Sequence, residues 1–252
     1  YHPRLWNFES VHVWDIEPAP SDKLWLGTLH DGLCLFSPDD GNSRYFQHDG
    51  NDPSSLVNDD ILTLLIDSRR WLWIGTANGL SILKPGNSSF TNLLSVDSPE
   101  GRAFTSNTIL SMYEDARGYI WLGTKGAGII ILNPGDSIPE IKAHITSEDG
   151  LPSDIIATLA LGEEEFVWVA TNNGLVKVRL AYYTVQKLSP NMSLPGVEFN
   201  SEACYLYRDG GLLLGSTSGL YWVNTRNNAI NERIPPVFID KLRLLNTYVT
   251  PS

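Results

Sequence analysis

Short apolar runs of four to six residues recur along the chain at a nearly constant spacing, separated by turn-forming Gly, Asp, Asn and Pro. One run, Leu24-Trp25-Leu26-Gly27-Thr28, returns as Leu72-Trp73-Ile74-Gly75-Thr76, Ile120-Trp121-Leu122-Gly123-Thr124, Val167-Trp168-Val169-Ala170-Thr171 and Leu212-Leu213-Leu214-Gly215-Ser216. Successive copies lie 48, 48, 47 and 45 residues apart. A period held this closely is the signature of a repeat architecture. After each copy comes a Gly followed by Leu or Ile, at Gly32, Gly79, Gly128, Gly174 and Gly219, which reads as a tight turn into another strand. Ahead of each lies a further apolar run, such as Ile109 to Tyr113, joined to the Trp run by a turn such as Asp115-Ala116-Arg117-Gly118. With a more polar closing segment, every unit holds four short strands. Four antiparallel strands in forty-odd residues make one propeller blade. The predicted fold is therefore all-β, a β-propeller with five four-stranded blades visible over residues 11–233. A parallel solenoid would spend less chain per repeat.

The repeated positions read as structural. A large flat Trp at one place per blade suits packing between twisted sheets, with its N–H directed to a backbone acceptor. Gly lets neighbouring sheets approach closely, and the Thr hydroxyl suits a strand end where a backbone group needs a partner. Glu17-Pro18-Ala19-Pro20-Ser21-Asp22-Lys23 in the first unit and Gly162-Glu163-Glu164-Glu165 in the fourth replace the acidic turn. As solvent-facing turns they are expected to matter little.

Composition narrows the function classes. With 42% hydrophobic and 19% charged residues the chain can build a core. Its longest aliphatic stretch, Ile129 to Leu132, is far short of the roughly 20 residues of a membrane helix. A net charge of −11 leaves no cationic footprint for nucleic acid or an anionic membrane. Cys34 and Cys204 stand at different positions of distant repeats and read as free buried thiols. The five histidines, His2, His12, His30, His48 and His144, lack metal-ligand spacing, and no motif implies a cofactor. The chain opens at Tyr1 and stops in mid-pattern at Ser252, as expected of a fragment.

Strand direction brings the start of each inner strand and the end of each Trp strand to one mouth of the central channel, a common binding face of propellers. Fourteen residues before the Trp stand Asp59, Asn107 and Asp154, with Asn200 near the equivalent place in the fifth unit. The Trp-strand side contributes His30, Asp31, Asn78, Lys125, Asn172, Asn173 and Thr217. Such a polar ring offers donors and acceptors to a hydroxyl-rich solute, such as an oligosaccharide. Against this, Asn and Asp at strand entries commonly cap their own turns. Asp59 and Asp154 also invite comparison with the carboxylate pair of a glycosidase, which keeps a carbohydrate-active enzyme as an alternative. A protein-interaction scaffold is a second alternative.

The unit resembles the two-component-regulator propeller repeat of sensor regions in hybrid histidine kinases and related bacterial receptors. Glu114-Asp115-Ala116-Arg117-Gly118-Tyr119-Ile120-Trp121-Leu122-Gly123-Thr124 carries the likeness most clearly, and His48 to Leu56 and Asp149 to Ser153 resemble its inter-blade connectors. Glu198-Phe199-Asn200 before a Trp-less unit resembles a last blade, and Pro235 to Asn246 resembles the start of the three-tyrosine (Y_Y_Y) immunoglobulin-like domain, with only its first strand in 234–252. The resemblance implies the periplasmic sensor of an inner-membrane receptor with a kinase or cyclase output, a small-molecule ligand, contacts to the remaining sensor domains of the same chain, and a homodimer in the full receptor. It also implies seven blades per propeller. The segment 1–10, with Arg4 to Phe8, is then the outer strand of a preceding blade, or else a strand that closes a five-bladed ring.

Overall fold

The computed structural model describes residues 12–93, 108–136, 138–161, 165–207 and 210–225, and a hairpin at 242–244 and 247–249. Blade 1 comprises β1 (His12–Ala19), β2 (Lys23–Leu29), β3 (Leu33–Phe36) and β4 (Ser43–Phe46). Blade 2 comprises β5 (Ile61–Ile66), β6 (Leu72–Thr76), β7 (Gly79–Leu83) and β8 (Thr91–Leu93), and blade 3 comprises β9 (Ile109–Glu114), β10 (Ile120–Thr124), β11 (Ile129–Asn133) and β12 (Glu140–Ile145). Blade 4 comprises β13 (Ile156–Leu161), β14 (Phe166–Thr171), β15 (Gly174–Arg179) and β16 (Thr184–Gln186). Blade 5 shows β17 (Phe199–Leu206), β18 (Gly211–Ser216) and β19 (Gly219–Asn224) among the described residues. Every blade is an antiparallel meander in chain order, so the expected propeller is the observed fold. The segment 1–10 lies outside the described residues. Within 234–252 the description is confined to β20 (Leu242–Leu244) paired with β21 (Thr247–Val249), two short strands where one was expected.

The core lies between blades. Trp73, Leu80 and Ile82 of blade 2 pack against Ile109, Met112 and Leu122 of blade 3, and Trp121, Ile129 and Ile131 of blade 3 against Ile156, Leu159 and Val167 of blade 4. The notch is the Gly of the Trp strand. A Cβ on Gly75 would sit 2.9 Å from Ile109 Cγ2, and one on Gly123 2.8 Å from Ile156 Cγ2, so the first residue of each inner strand plugs the Gly of the preceding blade. The Thr role also holds. The hydroxyls of Thr28, Thr76, Thr124, Thr171 and Ser216 donate to the carbonyls of Gly32, Gly79, Gly128, Gly174 and Gly219 at 2.6–2.9 Å.

Two expectations need correction. The Trp N–H does not go to a backbone acceptor: Trp73 and Trp121 donate to the Asp67 and Asp115 carboxylates at 3.0 and 3.1 Å. Nor is the acidic turn a dispensable solvent-facing loop, because these aspartates are buried. One oxygen of each accepts the backbone N–H groups of the residues two and four further on, and the other accepts the Arg69 or Arg117 side chain besides the indole.

The end blades differ from the inner ones. Val13 and Ile16 of blade 1 occupy the register of Ile61 and Leu64, which are 0% and 4% exposed, yet they are 37% and 55% exposed. Leu220 and Trp222 of blade 5 occupy the register of Leu80 and Ile82 but are 70% and 59% exposed. Positions that elsewhere pack on a neighbouring blade therefore face outward at both ends of the run.

Candidate functional site

The expected mouth exists as a set of strand ends and connectors, and most of its side chains are spent on backbone. Asp59 Oδ1 accepts the His48 N–H at 2.7 Å, and Asp154 accepts the Ser147 N–H at 2.6 Å and the Ser147 hydroxyl at 2.8 Å. Their carbonyls accept the N–H groups of Gly32 and Gly128 from the preceding blade. These aspartates thus clamp the outer-to-inner connectors, the local-capping role that their residue type allows. Each is held by its own connector. Asn107 lies outside the described residues.

In blade 5 the equivalent backbone acceptor is Val197, whose carbonyl takes the Gly174 N–H. Asn200 sits three residues further on, exposed, in a bulge of β17 between the Phe199 and Cys204 pairings. Counting from the Trp strand missed this because β17 carries extra residues. His30, at φ 76°, lies beside Asp60, its Nδ1 2.6 Å from Oδ1, and its N–H donates to the same oxygen at 2.9 Å. Asp60 was not among the expected site residues, and periodicity gives no signal for it. Asp31 is half-buried and its charge helps to raise the pKa of Tyr45, behind burial and the Cys34 thiol. Asn173 bridges to the Pro152 carbonyl at 3.2 Å and accepts the Gly196 N–H at 3.2 Å. The backbone N–H groups of Lys125, Asn172 and Thr217 donate to the carbonyls of Thr108, Ile155 and Glu198, at the inner-strand entries of their own blades. Asn78 donates its own N–H to Thr76 Oγ1. The Lys125 side chain is exposed, and Asn172 Oδ1 is buried with no partner among the described residues.

Deeper in the channel, acids gather that the sequence reading did not single out. The bulge of β17 sets Glu202 at φ 55°, near Asp15 of β1 and Thr63 of β5. Burial among protein, reinforced by the Asp15 charge, pushes Glu202 up to about 8 and Glu17 up to about 7, although Glu202 keeps part of its surface open to the channel. Asp15 is itself raised by burial, against the N–H groups of Leu64 and Ile16 that it accepts at 2.6 and 2.7 Å. Carboxyls that hold protons more tightly when folded stabilise the fold below their unfolded pKa, and that contribution is lost as pH rises through the folded value. The melting temperature is therefore expected to fall between about pH 5 and pH 8.5. Glu202→Gln should flatten that decline and raise the melting temperature at the alkaline end, as followed by differential scanning fluorimetry. Cys34 and Cys204 are free; Cys34 is buried and Cys204 partly so. Among the described residues no group of three or more His, Cys, Asp or Glu is placed to hold a metal, and no helix is long and apolar enough to cross a membrane.

Residues 103–126, which include β9 and β10, match the model of the family described as Two component regulator propeller. Those residues carry one such repeat. Over 243 residues, 96% of the chain, it is 22% identical to Histidine kinase P4 of Formosa agariphila, and it spans 17% of that protein. Its fold matches the extracellular domain of the hybrid two component system BT3049 of B. thetaiotaomicron with a TM-score of 0.58 and 18% identity, covering 94% of this chain and 38% of that one. It also matches PorZ, a surface component of the type-IX secretion system of Porphyromonas gingivalis, with a TM-score of 0.65 and 17% identity over 85% of this chain and 32% of that one. These structures share the propeller fold, and the chain spans well under half the length of each relative.

Proposed function

We propose that this chain is ligand-sensing propeller of the extracytoplasmic region of a bacterial two-component sensor, a histidine kinase or hybrid, and not an enzyme in itself. The observation that carries the reading is the repeat at 103–126, set in a chain aligned over 96% of its length with a histidine kinase. A solute such as an oligosaccharide binds at the channel mouth, where the exposed Lys125 can meet hydroxyls. It favours one arrangement of the sensor, and the bias reaches the output in proportion to its differential affinity for the two states. Periplasmic placement, a homodimeric receptor and contacts with neighbouring sensor domains belong to the same proposal. Commitment of Asp59 and Asp154 to their connectors speaks against the glycosidase alternative.

The test is a thermal-shift screen of the sensor against neutral oligosaccharides and other small metabolites, with products assayed in parallel. Stabilisation by one class without turnover supports sensing. Turnover abolished by Asp154→Asn makes the protein an enzyme, and indifference to every solute together with recovery of a protein partner makes it a scaffold.

The outward-facing Val13, Ile16, Leu220 and Trp222 favour a ring that continues with further blades of the same polypeptide over one closed at five, since they stand where the other blades meet their neighbours. Trp222→Ser combined with Leu220→Ser should then improve the solubility of this chain alone and destabilise the longer sensor. Equal stability of the longer sensor with and without the pair would contradict the continued ring.

A further inference from the structure

At the end of the propeller opposite the Gly-Thr strand ends, two clefts, between blades 2 and 3 and between blades 3 and 4, are filled by one device. In blade 2, Arg69 bonds Asp67, lies 4.0 Å over the Trp71 ring and donates to the Gly135 carbonyl of blade 3 at 2.8 Å. Lys84 covers the same ring at 4.1 Å. In blade 3, Arg117 bonds Asp115 and lies 5.0 and 5.1 Å from the rings of Tyr119 and of Tyr183 in blade 4. Acid, arginine and aromatic ring together plug each cleft.

Blade 1 lacks the plug. The pairing register puts Ala19 where blades 2 and 3 have Asp67 and Asp115, and Lys23 where they have Trp71 and Tyr119. Ser21 stands in place of the arginine. What remains is a cavity of about 690 Å³ between blades 1 and 2. That volume falls in the range of small-molecule sites. Trp25 and Phe46 line it, with ring centroids 5.9 Å apart, beside Leu35, Ile66, Leu72 and Leu83.

Its charge runs against that of the protein. Lys23, Arg44, Arg70 and Lys84 line the cavity and no carboxylate does, in a chain of net charge −11. Lys84 is engaged toward blade 3, its Nζ donating to the Asp136 carbonyl at 2.8 Å. Among the described residues, none of Lys23, Arg44 and Arg70 is paired with a carboxylate. Arg70 is also strained. It holds φ 65° at the turn position where blade 3 has Gly118 at φ 79°. A left-handed non-glycine residue is disfavoured, so the arginine is kept where glycine would be cheaper, and it lines the cavity. Strain held at a concave site is a recognised mark of function.

We propose that this cleft binds a small anion bearing an apolar ring face, the chemistry of a carboxylated or sulfated sugar. Lys23, Arg44 and Arg70 meet the anionic groups, Arg44 from its place 4.7 Å over the Phe46 ring, and the apolar wall of Trp25, Leu35, Ile66 and Leu72 supplies the surface for the ring. The site is separate from the channel mouth, and the inference does not rest on the sensing reading.

Calorimetric titration of the chain with trigalacturonate, a sulfated galactose trisaccharide and neutral galactotriose tests it, with the two anionic arms telling carboxylate from sulfate. At least one anionic probe should bind, more weakly as salt rises, while the neutral sugar does not. Arg70→Gly, which restores the glycine of the repeat, should weaken binding about tenfold or more while the melting temperature stays level or rises. Lys23→Ala should weaken binding comparably, and it supplies the reading should Arg70→Gly disturb the turn. The proposal is overturned if neither anionic probe binds at millimolar concentration, if galactotriose binds equally well, or if both variants bind as the parent does. Failure here leaves the mouth and its neutral-solute screen untouched.

Discussion

Asp115→Ala is expected to destabilise the fold by about 3 kcal/mol, far beyond an ordinary turn substitution. The carboxylate accepts the N–H groups of Arg117 and Tyr119 through one oxygen and the Arg117 side chain and Trp121 indole through the other. Alanine leaves several of these donors buried without an acceptor, each costing about 1–3 kcal/mol before relaxation. Asparagine keeps one acceptor oxygen and sets an NH2 against the remaining donors, so it should recover only part of the loss. Asp67→Ala should behave alike, since Asp67 makes the same set of bonds with Arg69, Trp71 and Trp73. Asp22→Ala, in the blade 1 turn that lacks this network, should change stability by no more than about 0.5 kcal/mol. Urea midpoints at constant slope measure all four. A loss for Asp115→Ala no larger than that for Asp22→Ala would show that the acidic turn is not a structural lock.

Gly123→Ala ranks second. The added Cβ would press on the Ser111 hydroxyl and on Ile156 Cγ2, which belongs to the next blade, so two sheets would have to separate. Overpacking of this kind typically costs about 1–3 kcal/mol. Gly50→Ala is the control, because nothing lies within 4 Å of a Cβ there. If both variants unfold at the same urea concentration, the inter-blade notch is not where the sheets meet most closely.

These two networks show what the sequence can and cannot reveal. The blades, the Gly notch and the Thr bond repeat at fixed intervals, so periodicity alone exposes them and physical chemistry explains them. The Asp-to-Trp bond also leaves a regular trace, since Asp67 and Trp73, like Asp115 and Trp121, are six residues apart. It was misread because a turn was assumed to face solvent. Other features have no period. Asp60 meets His30 across a blade boundary, and Glu202 reaches Asp15 across the channel only because β17 bulges. Such contacts follow from the arrangement of the blades around an axis and not from any spacing along the chain. The basic cavity was half-legible. Blade 1's departure from the acidic turn was visible, but its consequence, an unfilled cleft, depends on neighbours that only the fold brings near.

Whether the propeller senses is tested most directly on the full-length parent protein in membrane vesicles, with labelled phosphate incorporation measured in the presence and absence of a solute that stabilises the propeller. A sensor requires phosphorylation to change with that solute, with the solute recovered intact and the response lost when its binding is abolished by mutation of the propeller. Phosphorylation indifferent to a solute that saturates the propeller, or conversion of that solute to product, would contradict it.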